Sequence, residues 1–140
     1  MVAEGSRVSE WIAETLSADA YLGNWADGGI WVDYAPQGTT GNIVLAAWQG
    51  GSHRKIAFSY SIYLVRAVAT GGTYDLVEQA ADHIDQDLTE GVPVEGLVYR
   101  DIRIARVERD SPHQRKDSEN GIDTVYLGNN YRIWFNQPGI

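Results

Sequence analysis

Alternation of apolar and polar residues is most regular from Ile56 to Val68, where the sequence reads IAFSYSIYLVRAV. Bulky apolar side chains occupy the even positions as far as Leu64, and small or polar ones occupy most of the odd positions. Because successive strand side chains point to opposite faces, the pattern predicts a β-strand with a bulky apolar face and a small, mostly polar face. At about 3.3 Å per residue the strand spans roughly 43 Å, against a domain diameter of roughly 37 Å. Part of it is therefore expected to serve another chain.

Two other segments have the spacing of amphipathic helices. Ser6–Leu22 can be capped by Ser6 or Ser9, and Gly91 followed by Pro93 ends the second segment, Thr73–Leu88. The predicted apolar faces are Val8, Trp11, Ile12, Thr15 and Leu16 in the first segment, and Tyr74, Val77, Ala80, Ala81, Ile84 and Leu88 in the second.

Further strands are predicted on either side of the second helix. They cover Ile30–Ala35, Asn42–Gln49, Glu95–Arg109 and Thr124–Asn136, with loops at Gly23–Gly29 and Asp110–Asp123 and a hairpin turn at Gly50–Lys55. The last strand places Tyr126, Arg132 and Trp134 on one face and apolar residues on the other. The order αβββαββ predicts a single α+β domain over residues 1–140, with one mostly antiparallel sheet of about four to five strands and two α-helices packed on one face.

Charge is unevenly distributed along the chain. The formal net charge is -8, residues 73–95 contain seven acids and no base, and residues 36–72 contain three bases and no acid. The predicted helices are thus acidic and the long strands neutral to basic. Polyanion binding requires a basic surface, so the chain is expected to repel nucleic acid. There is no cysteine, which fits folding in a reducing cytoplasm, and neither a membrane span nor a signal peptide is predicted.

Candidate chemical sites are few. His53, His83 and His113 all fall in segments expected to be solvated, and Asp82, His83 and Asp85 point in different directions around a helix. The Gly50–Lys55 glycines lead into a strand, whereas a phosphate-binding loop leads into a helix. No catalytic, cofactor or metal site is therefore predicted. A small-ligand pocket that uses Tyr60, Asp101 or Tyr131 stays open as an alternative.

Interface residues are predicted instead. Arg100 and Arg106 are expected on one face of their strand, and Arg103 and Arg109 on the other, where they could pair with charges of a neighbour. The hairpin tip and the polar loop are the expected partner contacts, and substituting Arg54 and Lys55 with Glu should block assembly without unfolding the chain. The eight tyrosines and five tryptophans suit an interface or a core equally. The candidate interface residues are Ser52, His53, Arg54, Lys55, Arg100, Arg103, Arg106, Arg115 and Lys116.

Several segments in order resemble one protein family. They are Asp19–Gly23, the WVDYAPQG stretch Trp31–Gly38, the predicted hairpin and second helix, and Val125–Leu127 with the YRIWF stretch Tyr131–Phe135. Over roughly residues 10–136 the chain resembles the tail terminator proteins of long-tailed bacteriophages, also called tail completion or tail-to-head joining proteins. The loop Asp110–Asp123 matches no pattern of that family.

The resemblance implies a structural virion protein rather than an enzyme, with no cofactor. It implies a homo-oligomeric ring, a hexamer, that caps the tail tube, ends tail growth and joins the tail to the head connector. The implied partners are further copies of the chain, the tail tube protein and the head–tail connector or stopper protein. DNA would pass through the ring without specific binding, and assembly would occur in the host bacterial cytoplasm. Another phage neck protein for head completion is the alternative, and a regulatory or toxin–antitoxin module is a more distant one.

Overall fold

Three helices and six strands follow one another in the computed structural model, which describes residues 4–52, 59–71 and 74–136. The N-terminal half contains helices α1 (Glu4–Ser17) and α2 (Ala20–Trp25) and strands β1 (Gly29–Val32), β2 (Ile43–Ser52) and β3 (Ser59–Thr70). The C-terminal half contains helix α3 (Tyr74–Asp85), a π-helical segment (Gln86–Glu90), and strands β4 (Leu97–Tyr99), β5 (Ile102–Glu119) and β6 (Ile122–Asn136).

The strands form one sheet in the order β1-β2-β3-β6-β5-β4. Strand β1 is parallel to β2, and every other neighbouring pair is antiparallel. The α+β class and the predominance of antiparallel pairing are as predicted, but the sheet is mixed and has six strands among the described residues. The antiparallel pairing of β2 with β3 confirms the predicted hairpin, whose tip residues His53, Arg54 and Lys55 lie outside the described residues.

Helix α2 was not predicted, and it replaces part of the expected loop Gly23–Gly29. The Asp19 carboxylate accepts hydrogen bonds from the backbone N–H groups of Tyr21 and Leu22, at 2.9 and 3.3 Å, and so starts a new helix after α1 ends. The predicted serine caps are wrong, because α1 begins at Glu4 and the Ser9 hydroxyl lies 2.5 Å from the Tyr63 hydroxyl oxygen.

The predicted helix faces form one core with the sheet. Helix residues Val8, Ile12, Leu16, Val77 and Ile84 are fully buried in the same cluster as inward-facing residues of β2, β3, β5 and β6. Trp11, Ala80, Ala81 and Leu88 are buried as well, Thr15 is half-buried, and the side chain of Tyr74 lies outside the described part. All buried sheet residues of this cluster lie on one side of the sheet, so the helices cover that side, called the inner face below.

The expected strand Glu95–Arg109 is wrong, because a tight turn divides it into β4 and β5. Tyr99 pairs with Ile102 across a two-residue turn, and Arg100 occupies the left-handed region with a φ of +53°. In a continuous strand Val98 and Ile102 would lie on the same face, yet Val98 is 62% exposed and Ile102 is buried. The turn folds the chain back before the predicted alternation can continue.

The expected loop Asp110–Asp123 is also wrong, since it is the end of a long β-hairpin. Strands β5 and β6 pair as far as Glu119 and Ile122, and Asn120 and Gly121 form the turn with φ values of +53° and +77°. An Asn-Gly pair with both φ values positive is typical of a type I′ turn, which closes two-residue hairpins. Most side chains of β5 between Arg109 and Glu119 are exposed, so no apolar alternation marked the strand.

The alternation of β3 is present, but the small, polar face is the one that the helices cover. Ser59, Ser61, Tyr63, Val65 and Ala67 are buried on the inner face, whereas the even positions from Tyr60 to Arg66 are only half-buried. The bulky residues Tyr60, Ile62 and Leu64 therefore lie on the opposite side of the sheet, called the outer face below. The predicted positions Ile56, Ala57 and Phe58 lie outside the described residues.

Candidate interaction surface

The outer face of the sheet carries no helix or further strand within the described parts of the chain. Ile62 and Leu64 of β3 lie beside Gly50 and Ala47 of β2, all of them on this face and none fully buried. A half-exposed apolar band therefore runs along the middle of the sheet. Contiguous apolar patches on a sheet surface are found at interaction sites.

Aromatic rings and arginines border the apolar band at one end. The Tyr60 and Trp134 ring centroids lie 5.0 Å apart, the Arg132 guanidinium carbon lies 4.7 Å from the Tyr60 centroid, and that of Arg106 lies 5.3 Å from the Trp134 centroid. Trp134 Nε1 donates to Glu108 Oε1 at 2.8 Å, and Arg106 pairs with the same oxygen at 2.7 Å. Trp, Tyr and Arg are the residue types enriched where proteins bind one another.

A second arginine–aromatic group lies further along the sheet, where Tyr126 of β6 is flanked by residues of β3 and β5. The guanidinium carbons of Arg66 and Arg115 lie 5.1 and 5.2 Å from the Tyr126 centroid. Arg66 Nη1 lies 3.4 Å from His113 Nε2, and Arg115 pairs with Asp117 at 2.7 Å. Burial and the two neighbouring guanidinium groups lower the pKa of His113, so its ring is neutral at pH 7 and leaves the positive charge to the arginines.

The helix side of the molecule has the opposite charge. Glu78 and Asp82 of α3 and Glu90 of the π-helical segment are exposed and take part in no ion pair with another described residue. Other acids on this side are paired, such as Asp85 with Arg109 at 3.3 Å. The two sides of the sheet therefore differ in both composition and charge.

The predicted interface residues fall in several places. Arg103, Arg106 and Arg115 lie on the outer face, as judged from their pairing with Asn136, Trp134 and Tyr126. Lys116 lies on the other side of β5 and pairs with Asp123 at 3.3 Å. Ser52 ends β2 opposite Tyr60, with its side chain outside the described part.

Arg100 is not arranged as predicted. It lies in the β4–β5 turn, and its guanidinium group contacts Glu14 at 3.2 Å and Glu10 at 3.6 Å within the same chain. It therefore attaches the turn to α1 and does not share a strand face with Arg106. Arg109 lies on the opposite side of the sheet from Arg103, because bulges interrupt the pairing of β5.

Sequence reasoning missed Arg66 and His113 as parts of the surface. Arg66 continues the row of Tyr60, Ile62 and Leu64, so the alternation of β3 already contained the signal. His113 lay in the supposed loop and was expected to be solvated, whereas it is half-buried beside Arg66. Only the pairing of β5 with β6 brings it there.

The structure does not bring together the residues of the alternative small-ligand pocket. Tyr60 lies on the outer face, Tyr131 is buried on the inner face, and Asp101 lies in the β4–β5 turn paired with Arg7 at 2.8 Å. The three residues proposed for a pocket therefore do not converge. No group of His, Asp and Glu residues suited to a metal ion occurs among the described residues, and no described helix is long and apolar enough to cross a membrane.

Comparison with known proteins gives a likeness among solved structures. No family model and no curated protein matches the chain. Among solved structures, the chain is similar to a chain from the virion of a native gene transfer agent (GTA) particle, with a TM-score of 0.70 and 15% sequence identity. The similarity covers 96% of this chain and 99% of that chain. The two chains therefore share one fold over essentially their whole lengths.

Proposed function

We propose that this protein is a structural virion component that assembles into a ring, caps a phage-like tail tube, ends tail elongation and joins the tail to the head connector. Its partners are further copies of the chain, the tail tube protein and the connector or stopper protein. The role is non-enzymatic, and DNA passes through the ring without specific binding. A hexamer is the proposed size of the ring.

One observation carries the proposal. The chain shares its fold, from end to end, with a protein that is part of a gene transfer agent virion. The match covers 96% of this chain and 99% of that chain, so it involves the whole fold and not a single motif. The resemblance of the sequence to phage tail terminators points to the same class of particle by a separate route.

The outer face supports assembly into a ring. Its apolar band and arginine–aromatic groups have the composition of an interface, and the acidic helices lie on the other side of the sheet. A ring needs head-to-tail contacts in which one surface meets a different surface of the next copy. Opposite charges on the two sides favour that orientation over face-to-face pairing.

Electron microscopy of particles tests the proposed role. Deleting the gene is expected to yield tails of uncontrolled length that fail to join heads, and adding the purified protein early in assembly is expected to restore a uniform length. Normal tails without the protein would contradict the proposal.

A head-completion or connector protein is the second candidate, because likeness to a chain of a virion does not distinguish the neck from the end of the tail. In that case tails of normal length would accumulate unattached to heads. The length of the tails in the deletion strain therefore separates the two roles.

A further inference from the structure

Arg66 and Arg103 are the outer-face arginines without a carboxylate partner among the described residues, and the Arg103 guanidinium group instead donates to the backbone carbonyl of Glu95. Arg106 pairs with Glu108, Arg115 with Asp117 and Arg132 with Asp110, each within the chain. The Arg66 contacts are His113 and the Tyr126 ring, and its Nε atom is buried without a hydrogen-bond acceptor. A partly desolvated cation with an unsatisfied donor is unfavourable until an anion reaches it.

Arg66 belongs to a small positively charged cluster on the outer face. Gly128 separates Arg66 from His113 in the sheet register and places no side chain between them. The guanidinium carbons of Arg66 and Arg115 lie 5.1 and 5.2 Å from the centroid of the same Tyr126 ring, so they are at most about 10 Å apart. The cluster thus presents two guanidinium groups beside one aromatic ring.

Helix α3 presents a matching pair of anions on the other side of the molecule. Glu78 and Asp82 are four residues apart, so they lie on the same helix face one turn apart. Both are exposed, and neither pairs with a base anywhere in the described residues. The two carboxylates can adopt side-chain positions in which one contacts Arg66 and the other contacts Arg115.

We propose that Glu78 and Asp82 of one copy bind the Arg66–His113–Arg115 site of the next copy. This inference rests on the proposed ring and specifies which of its surfaces meet. Because donor and acceptor lie on opposite sides of the sheet, the contact is head-to-tail and can repeat around a closed ring.

A second copy suits the site better than a nucleic acid. Glu108, Asp110 and Asp117 lie among the outer-face arginines and would repel a phosphate backbone that ran along the face. The chain as a whole is also acidic, with a net charge of -8. A helix that brings two carboxylates carries less negative charge past those acids than a continuous run of phosphates does.

Charge exchange tests the contact. Arg66→Glu and Asp82→Lys are each expected to weaken assembly by at least about 30-fold, because each leaves a charge unpaired in the interface. The double variant Arg66→Glu with Asp82→Lys is expected to recover most of the loss, since the two charges are then exchanged between neighbours. Assembly is measured by light scattering and native mass spectrometry over a concentration series, alone and with purified tail tubes, and circular dichroism establishes that each variant folds.

Asn24→Lys is the control, because it adds a lysine, as Asp82→Lys does, at an exposed position of α2 away from the proposed contact. It should leave assembly unchanged. Equal loss with Asn24→Lys, or no recovery in the double variant, would overturn the inference. The milder Arg66→Gln keeps the test valid if Arg66→Glu does not fold.

The outcomes separate this inference from the proposed function. If the wild-type chain forms no ring and does not bind tubes, the proposed function fails. If the wild-type ring forms and the charge variants assemble equally well, only the contact fails. Loss of binding to a labelled DNA duplex in Arg66→Glu, with assembly intact, would assign the site to phosphate and overturn the proposed pairing.

Discussion

The two rows of side chains on β3 face different environments. The inner row contains small or polar residues such as Ser59, Ser61 and Ala67, and all three are buried. The outer row contains the bulkier Tyr60, Ile62 and Leu64, and no described element covers it. On one strand, the larger apolar side chains lie on the less covered side.

The difference indicates what each row contributes. Small side chains let α3 approach the sheet closely, and the bulk needed to fill the core comes from the helices and from residues of β6 such as Ile133 and Phe135. The outer row adds less to the stability of the monomer because it stays partly solvated. Its bulk is explained if another copy of the chain covers it.

Truncating the inner layer should produce the largest loss of stability. Ile133 is fully buried, so Ile133→Ala removes buried methyl groups and leaves a cavity, at a cost of about 2 to 5 kcal/mol. The matched outer-face variant, Ile62→Ala, should lose less than half as much as a monomer but should weaken assembly. Urea unfolding and light scattering measure the two effects. Equal destabilisation by the two variants would contradict the difference between the layers.

The centre of the sheet should tolerate no added carbon at Gly128. A Cβ atom there would collide with the backbone carbonyl of Val65 and lie 2.8 Å from the Cα atom of Arg66. Gly128→Ala is therefore expected to cost about 1 to 3 kcal/mol and to lower the thermal midpoint. The control is Gly23→Ala in α2, where no atom lies within 4 Å and the helix should gain up to about 1 kcal/mol. If Gly128→Ala left the stability unchanged, β3 and β6 would have to lie further apart at this point than the structure shows.

The stability of the fold should depend on pH through carboxyl groups of the helix layer. Burial and the neighbouring Asp19 carboxyl raise the pKa of Asp87 from 3.8 to about 7, while the pKa of Asp19 is lowered, and His83 of α3 faces both. The folded chain therefore holds the Asp87 proton more tightly than the unfolded chain, so this group destabilises the fold as the pH rises from about 4 to about 7. Asp19 acts in the opposite sense, and only at lower pH.

Asp87→Asn removes this titration while keeping the shape of the side chain. It should match the wild type near pH 4, where the carboxyl group is largely protonated in the folded chain, and be more stable by about 1 to 2 kcal/mol at pH 8, a figure reduced for partial exposure. Urea unfolding at the two pH values measures the effect. Asp82→Asn, an exposed acid without an ion pair, should change little at either pH. If Asp87→Asn changed the free energy of unfolding equally at both pH values, a titrating carboxyl group at this position would be contradicted.

Substitution of a polar residue on the outer face should have the smallest effect on the stability of the monomer. Arg132→Met removes the cation–π contact with Tyr60 and the 3.5 Å ion pair with Asp110, both of them partly solvated. The expected loss is below about 1 kcal/mol in thermal unfolding. A loss comparable to that of Ile133→Ala would mean that the outer face holds the monomer together.

Much of the sheet and the helix faces followed from periodicity. The stripe from Val77 to Leu88 and the alternation of β6 were predicted correctly, because each element buries one face and its pattern shows it. The end of β5 could not be predicted in this way, since its side chains are exposed on both sides. The Asn120–Gly121 turn was the available signal for that hairpin.

The candidate surface was only partly predictable. Alternation placed Arg132 and Trp134 on one face of β6, but it could not show which side of the sheet the helices would choose. The bulkier side chains of β3 lie on the face that no described helix covers. Arg66 and His113 come together through pairings among three strands, and those depend on a hairpin that the hydrophobic pattern does not reveal.

Thiol labelling tests most directly whether another copy covers the outer face, because the chain contains no cysteine of its own. Asn130→Cys places one thiol on the outer face, and Asn24→Cys places one on the exposed surface of α2. On assembly, labelling at position 130 should slow by at least about tenfold while labelling at position 24 stays unchanged. Equal labelling rates at position 130 in the monomer and the assembled ring would contradict the claim that the outer face is an interface.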